Sequence, residues 1–101
     1  MTPMKLTVPL CRAQDTEQLI MAGADEFYCG VLLPEEKLAL NARQHPNANL
    51  KGFGELAEAL RVTRRCNVPV FLCVNSDYGK ENTENVKAYI RKAAAAGVSG
   101  F

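Results

Sequence analysis

The stretch Met21–Val31, "MAGADEFYCGV", reads as a joint between two kinds of structure. Gly23 stands where a helix would end in a left-handed C-cap, a conformation glycine adopts without steric cost. Glu26 to Cys29, with two aromatic residues among them, then reads as a strand that stops at Gly30. The phrase has an echo near the other end of the chain. Ala95 to Phe101, "AAGVSGF", again ends a helix on glycine, and Val98 begins a further strand. A junction that recurs in this way belongs to a chain alternating helices and strands.

Working outward, Lys5 to Leu10 is a short apolar stretch interrupted by Thr7 and closed by Pro9, a first strand. Asp15 followed by Gln18 has the form of a helix-capping box, and Leu19, Ile20 and Ala22 supply apolar residues for a short helix. Leu56, Ala59, Leu60 and Thr63 recur at helical spacing. Val68 to Val74, "VPVFLCV", is a nearly continuous apolar run that fits a strand buried on both faces. A third helix is expected from Thr83 to Ala96, with Val86, Tyr89, Ile90 and Ala93 on its buried face and Gly97 ending it.

The order strand, helix, strand, helix, strand, helix, with a fourth strand opening at Val98, predicts an α/β fold of parallel β/α units. No Gly-x-Gly-x-x-Gly follows the first strand, where "PLCRAQD" stands instead, so a dinucleotide-binding domain is disfavoured. A complete eightfold barrel takes about 250 residues. The 101 residues hold three such units and the start of a fourth. The expectation is the first three to four strands of a TIM-barrel-like domain, residues 1–101 forming the amino-terminal portion of a truncated (β/α)8-type catalytic domain.

Twelve basic residues against eleven acidic ones leave a formal charge of +1, which gives no support for a strong grip on nucleic acid or anionic lipid. Arg61, Arg64 and Arg65 form the nearest approach to a basic cluster, and at helical spacing they read as a solvated helix end. No apolar run approaches the roughly 20 residues that span a bilayer. The first residues, "MTPMKLTVPL", lack the features of a secretory signal, so a cytoplasmic location is the expectation. Cys11, Cys29, Cys66 and Cys73 contain no CxxC pair and read as reduced thiols.

In parallel β/α architectures, ligands bind beyond the carboxyl ends of the strands. That places Cys11 and Arg12, then Tyr28, Cys29 and Gly30, then Cys73, Val74 and Asn75 at a common end. The segment from Val31 to Phe53 is long for a β/α connection, and such loops tend to be functional. Pro34 with Glu35 and Glu36 would start a helical turn inside it. Asn41, Arg43 and Asn49 are its notable polar groups, because a guanidinium flanked by amides suits a carboxylate or phosphate. The plainer account is a solvent-facing arginine among turn-forming asparagines.

Other constellations are weaker. His45 is the single histidine, and its spacing favours no Cys/His nucleophilic pair. Converging thiolates at Cys11, Cys29 and Cys73 would suit zinc or an iron–sulfur cluster. Small buried hydrophobes are the favoured account of the same residues. Asp77, Tyr78 and Lys80 offer acid–base groups but read more simply as a turn.

The succession "AGADEFYCG", "LNAR", "GFGELAEAL" and "VPVFLCVN" resembles the amino-terminal part of the collagenase-like peptidases, peptidase family U32. The matching elements fall on Ala22 to Gly30, Asn41 to Arg43, Phe53 to Leu56 and Val70 to Asn75, so the resemblance covers nearly the whole chain. It implies a TIM-barrel-like catalytic domain and a peptidase of unassigned catalytic type. It equally implies relatives that support hydroxylation of RNA bases or of the ubiquinone ring, some with a cysteine-bound iron–sulfur cluster. The cluster cysteines of such relatives lie farther along the chain, so that role is not carried to the cysteines here. Two departures stand out: Val8-Pro9-Leu10-Cys11 replaces the family's Ala-Pro-Ala-Gly, and an insertion surrounds His45-Pro46-Asn47.

Tyr28, Gly30, Asn41, Arg43 and Asn75 are therefore the candidate substrate-binding residues, for a peptide or a small anionic group. No catalytic residue, metal ligand or cofactor is assigned. The alternative is a non-catalytic binding or assembly module that self-associates or pairs with the rest of a barrel. RNA binding is a third and weaker expectation.

Overall fold

The computed structural model describes residues 4–33, 38–39, 48–74 and 83–101. Its elements are β1 (Thr7–Pro9), α1 (Thr16–Met21), β2 (Glu26–Cys29), β3 (Leu32–Leu33), β4 (Leu38–Ala39), α2 (Phe53–Arg65), β5 (Val70–Leu72) and α3 (Thr83–Ala96). A 3-10 turn, Ala13–Asp15, leads into α1. The architecture is mixed α/β, built on a parallel sheet of order β1-β2-β5.

Three joints of one geometry connect helices to the strands or extended segments that follow. At Gly23, Asn67 and Gly97 the backbone turns left-handed, with φ of 110°, 59° and 103°. At each joint the residue in that conformation donates its N–H to the carbonyl three positions back. The next residue donates to the carbonyl five positions back: Ala24 to Leu19 at 3.0 Å, Val68 to Thr63 at 2.8 Å, Val98 to Ala93 at 3.3 Å. These paired bonds are the Schellman motif, which satisfies carbonyls that a helix end leaves without partners. Gly23 and Gly97 were legible as joints from sequence, whereas the middle joint carries asparagine, the non-glycine residue that best tolerates this conformation.

The sheet buries one face. By strand alternation, Val8 and Leu10, Phe27 and Cys29, and Val70 and Leu72 point to the same side. They form a single core with Leu56, Ala59 and Leu60 of α2 and Val86, Tyr89 and Ala93 of α3. Fully burying each large side chain stabilises the fold by about 1.5–3 kcal/mol. The other face carries Pro9, Tyr28 and Phe71 in register, and Phe71 stays 36% exposed. Expecting a strand buried on both faces at Val68–Val74 was therefore wrong for β5. Its middle residue looks away from the helices and is only partly covered.

The expected fourth strand is present as a start. Ser99 donates its N–H to the Val70 carbonyl at 2.7 Å, and Leu72 donates to Gly100 at 2.9 Å. Phe71 and Gly100 form a parallel bridge, with the phenyl ring so close that a Cβ at residue 100 would lie 3.0 Å from it.

At the sheet's other edge, Leu6 accepts the Glu26 N–H and Leu10 donates to Tyr28, so the even-numbered residues of this segment face β2. Pro9 therefore faces outward, and it has no N–H to offer.

The Asp15 capping box does not form. Asp15 occupies the N-cap position of α1 without a side-chain cap bond. Its carboxylate is held by the Arg12 guanidinium, Nε to Oδ2 at 2.8 Å and Nη2 to Oδ1 at 3.0 Å. A two-pronged ionic contact outcompeted the single neutral donor of the helix end.

The described residues of the segment after β2 also pair as strands. β3 and β4 pair antiparallel, and the chain then returns beside Val31. Leu50 donates to Gly30 at 2.9 Å, and Leu32 donates to Leu50 at 2.7 Å. The helical turn expected at Pro34 to Glu36 lies outside the described residues.

Candidate functional site at the strand carboxyl ends

The register gathers the ends of β1, β2 and β5. Leu10 donates its N–H to the Tyr28 carbonyl at 2.9 Å, and Cys73 donates to Cys29 at 2.8 Å. Cys11, Gly30 and Cys73 thus leave the sheet side by side. Tyr28 is half-buried on the face away from the helices, and Gly30 is buried, its carbonyl engaged by Leu50. Asn41, Arg43 and Asn75 lie outside the described residues, as do His45, Asp77, Tyr78 and Lys80. Of the five candidate binding residues, the structure therefore locates Tyr28 and Gly30, both at the strand end.

Cys29 is 3% exposed, and burial pushes its thiol up to about 12, with Cys73 and then Cys11 adding to the effect. Such a group stays protonated at neutral pH. Among the described residues, no three His, Cys, Asp or Glu side chains are grouped to hold a metal ion. Cys29 behaves as a small buried hydrophobe, the account the sequence favoured.

Two side chains that sequence reasoning left without a polar role hold this end together. Tyr89 of α3 is 1% exposed, and its hydroxyl accepts the Val31 N–H at 3.1 Å and donates to the Val31 carbonyl at 3.4 Å. Its ring meets Phe53 edge-on, with centroids 5.4 Å apart. Burial pushes the phenol up to about 12, against the opposing pull of the Val31 backbone bond. The helical pattern placed Tyr89 in the core, yet nothing in that pattern said where its hydroxyl would go.

Glu55 is the second. It sits in the first turn of α2, and its Oε2 accepts the Ala13 N–H at 3.0 Å while its Oε1 accepts the Lys51 N–H at 2.7 Å. The loop after β1 and the approach to α2 are thereby joined. Arg12, in the loop after β1, is exposed, and the hydrogen bond and charge of Asp15 push its guanidinium higher still.

A separate depression of about 260 Å3 is lined by Thr63, Arg64, Asn67, Val68, Pro69 and Ser99. It lies at the amino end of β5, where Arg64 donates to the Ala96 carbonyl. Helix ends meet there, and its arginine is already engaged on one of them.

The model of peptidase family U32 matches residues 12–101, nearly the whole chain, beginning just after β1 and spanning the ends of β2 and β5. The chain belongs to peptidase family U32. No curated protein and no solved structure matches it. In this U32 chain the family match spans Cys29, Gly30, Glu55, Cys73 and Tyr89, the residues that shape the gathered strand ends. Among the described residues the strand-end face carries the half-buried Tyr28 and Arg12, whose guanidinium is paired with Asp15.

Proposed function

We propose that this U32 chain supplies the substrate-binding part of a peptidase, taking up a peptide or a small anionic group at the carboxyl ends of its strands. The observation that carries the proposal is the match to peptidase family U32 over residues 12–101, on a chain whose register gathers its strand ends at one mouth. Tyr28 and Gly30 line that mouth, and Asn41, Arg43 and Asn75 complete it, Arg43 receiving the ligand's carboxylate.

We propose further that the sheet is an arc of a β/α barrel. The strands β1, β2 and β5 follow one another in space as in sequence, and α1 lies beside α2 and α2 beside α3. With right-handed crossovers, an unreversed strand order sets all helices on one face, the winding of a barrel rather than of an open doubly wound sheet. A barrel interior would then cover Tyr28 and Phe71.

The test is titration of the chain with short unstructured peptides carrying a free or an amidated carboxyl terminus, together with a gelatin-cleavage assay. Binding that favours the free acid and weakens about tenfold in Arg43→Gln supports the proposal, since a lost charged contact is worth about 1.5–3 kcal/mol. Absence of both binding and cleavage sinks it.

A non-catalytic assembly module is the second reading, favoured by exposed Met4, Leu6, Phe71 and Phe101. A stable dimer that binds no peptide would select it.

A further inference from the structure

Glu55 ties together two segments that the chain keeps far apart. Ala13 belongs to the loop that leaves β1, and Lys51 belongs to the strand of chain that returns beside Val31. One carboxylate takes an N–H from each, at 3.0 Å and 2.7 Å. The donors are backbone groups, so the contact fixes the course of both segments rather than the pose of a side chain.

The anchor itself is firm. Glu55 sits between Gly54 and a fully buried Leu56 in the first turn of α2, so it moves with the helix that packs on the sheet. Ala13 is held on its other side as well, its carbonyl accepting the Thr16 hydroxyl at 2.7 Å. The Arg12 carbonyl accepts the Asp15 N–H at 3.1 Å. Thr16 and Asp15 secure the β1 loop to itself, whereas Glu55 secures it to α2 and to Lys51. An ionised carboxylate is an acceptor on both oxygens, whereas an amide offers one acceptor and one donor. Ala13 and Lys51 each use a different oxygen of Glu55, an arrangement that Gln, with an acceptor on one terminal atom only, does not reproduce and that Asp, one methylene shorter, does not reach.

We infer that Glu55 is a positioning residue that couples the two loops flanking the strand-end mouth, so that they open and close as one unit. Its consequence for ligands rests on the peptide-binding function proposed above; the coupling itself is a property of the fold. A ligand that orders the Cys11–Ala13 side therefore orders the Lys51 side as well.

Amide hydrogen exchange on the 101-residue chain tests the inference. In the wild-type chain, the Ala13 and Lys51 amides are expected to share one opening, with the same dependence on denaturant. In Glu55→Ala both are expected to lose protection by about tenfold or more, the scale of a bond to a charged acceptor. In Glu55→Gln one amide keeps its acceptor and the other loses protection. The Phe27 and Leu72 amides, bonded within the sheet, should be unchanged in both variants and so separate local release from general loosening. Different denaturant dependences for Ala13 and Lys51 in the wild-type chain would overturn the coupling, and this arm needs no variant to fold. Retained protection of both amides in Glu55→Ala would overturn it equally. A free-acid tripeptide is the ligand probe. If it fails to bind the wild-type chain, the peptide-binding function falls while the exchange result still decides the coupling.

Discussion

At the scale of single residues, the strand-end face is defined by groups that hold their protons. Cys29 moves from an ordinary 9.0 to about 12, and Tyr89 from 10.0 to about 12, burial being the first cause in each. Below about pH 8 both groups are neutral in the folded and the unfolded chain, and neither makes stability depend on pH. Above that, the unfolded chain releases protons that the native chain retains, so stability falls as pH rises, until about pH 12. Each group contributes a slope of about 1.4 kcal/mol per pH unit within its window. Chemical denaturation between pH 8 and 11 should show the loss; a flat profile would contradict the burial of both groups. In Tyr89→Phe the slope above pH 10 should shrink. The variant should also lose about 1–3 kcal/mol, because the buried Val31 N–H is left without its acceptor. Thiol labelling gives an independent check: exposed Cys66 should react with an alkylating reagent in the native state, and Cys29 only on unfolding.

At the scale of elements, the three helix ends make a sharper prediction than the strands do. Asn67 at φ 59° stands where its neighbours in the pattern use glycine. Asn67→Gly should be close to neutral, while Asn67→Val should cost about 1–3 kcal/mol, since a β-branched residue resists this conformation. Comparable loss in both variants, measured by denaturant unfolding, would remove the joint from its assigned role. Asp15→Ala tests the other end of a helix. It should cost less than a lost N-cap, which is worth about 1 kcal/mol, because Asp15 spends its carboxylate on Arg12.

These joints also mark how much could be read in advance. Gly23 and Gly97 were visible, as were the buried faces of α2 and α3, because glycine punctuation and helical spacing are local signals. The middle joint was missed because asparagine after a helix has several uses. The Asp15 cap was misjudged because its competitor, Arg12, comes before the helix begins. At the candidate site, Tyr28 and Gly30 were placed at the strand end by the β/α order alone. Glu55 and Tyr89 were not, because their partners are the backbone groups of Ala13, Lys51 and Val31, and a sequence pattern does not say which distant backbone a side chain will meet.

At the scale of the whole molecule, the contrast between the two faces of the sheet decides behaviour. One face packs on the helices around Leu60, which is 2% exposed. Leu60→Ala should cost about 2–5 kcal/mol by denaturant unfolding, the range for emptying a buried leucine site. The other face presents Tyr28 and Phe71. Phe71→Ser should cost less stability than Leu60→Ala, because the ring is only partly covered, and should reduce concentration-dependent association in sedimentation experiments. If association is the same in both chains, this face is not where copies meet.

The outward placement of Pro9 gives that sheet a direction. On the β5 side the ladder already continues into Ser99 and Gly100, and a strand offered there meets the outer edge of that segment. A strand offered to the β1 side finds a ring where a donor should stand. Any assembly by strand addition, between copies or with another chain, is therefore asymmetric: it extends from one border of the sheet and is checked at the other. Replacing that proline would lift a barrier to growth without altering a single contact of the core.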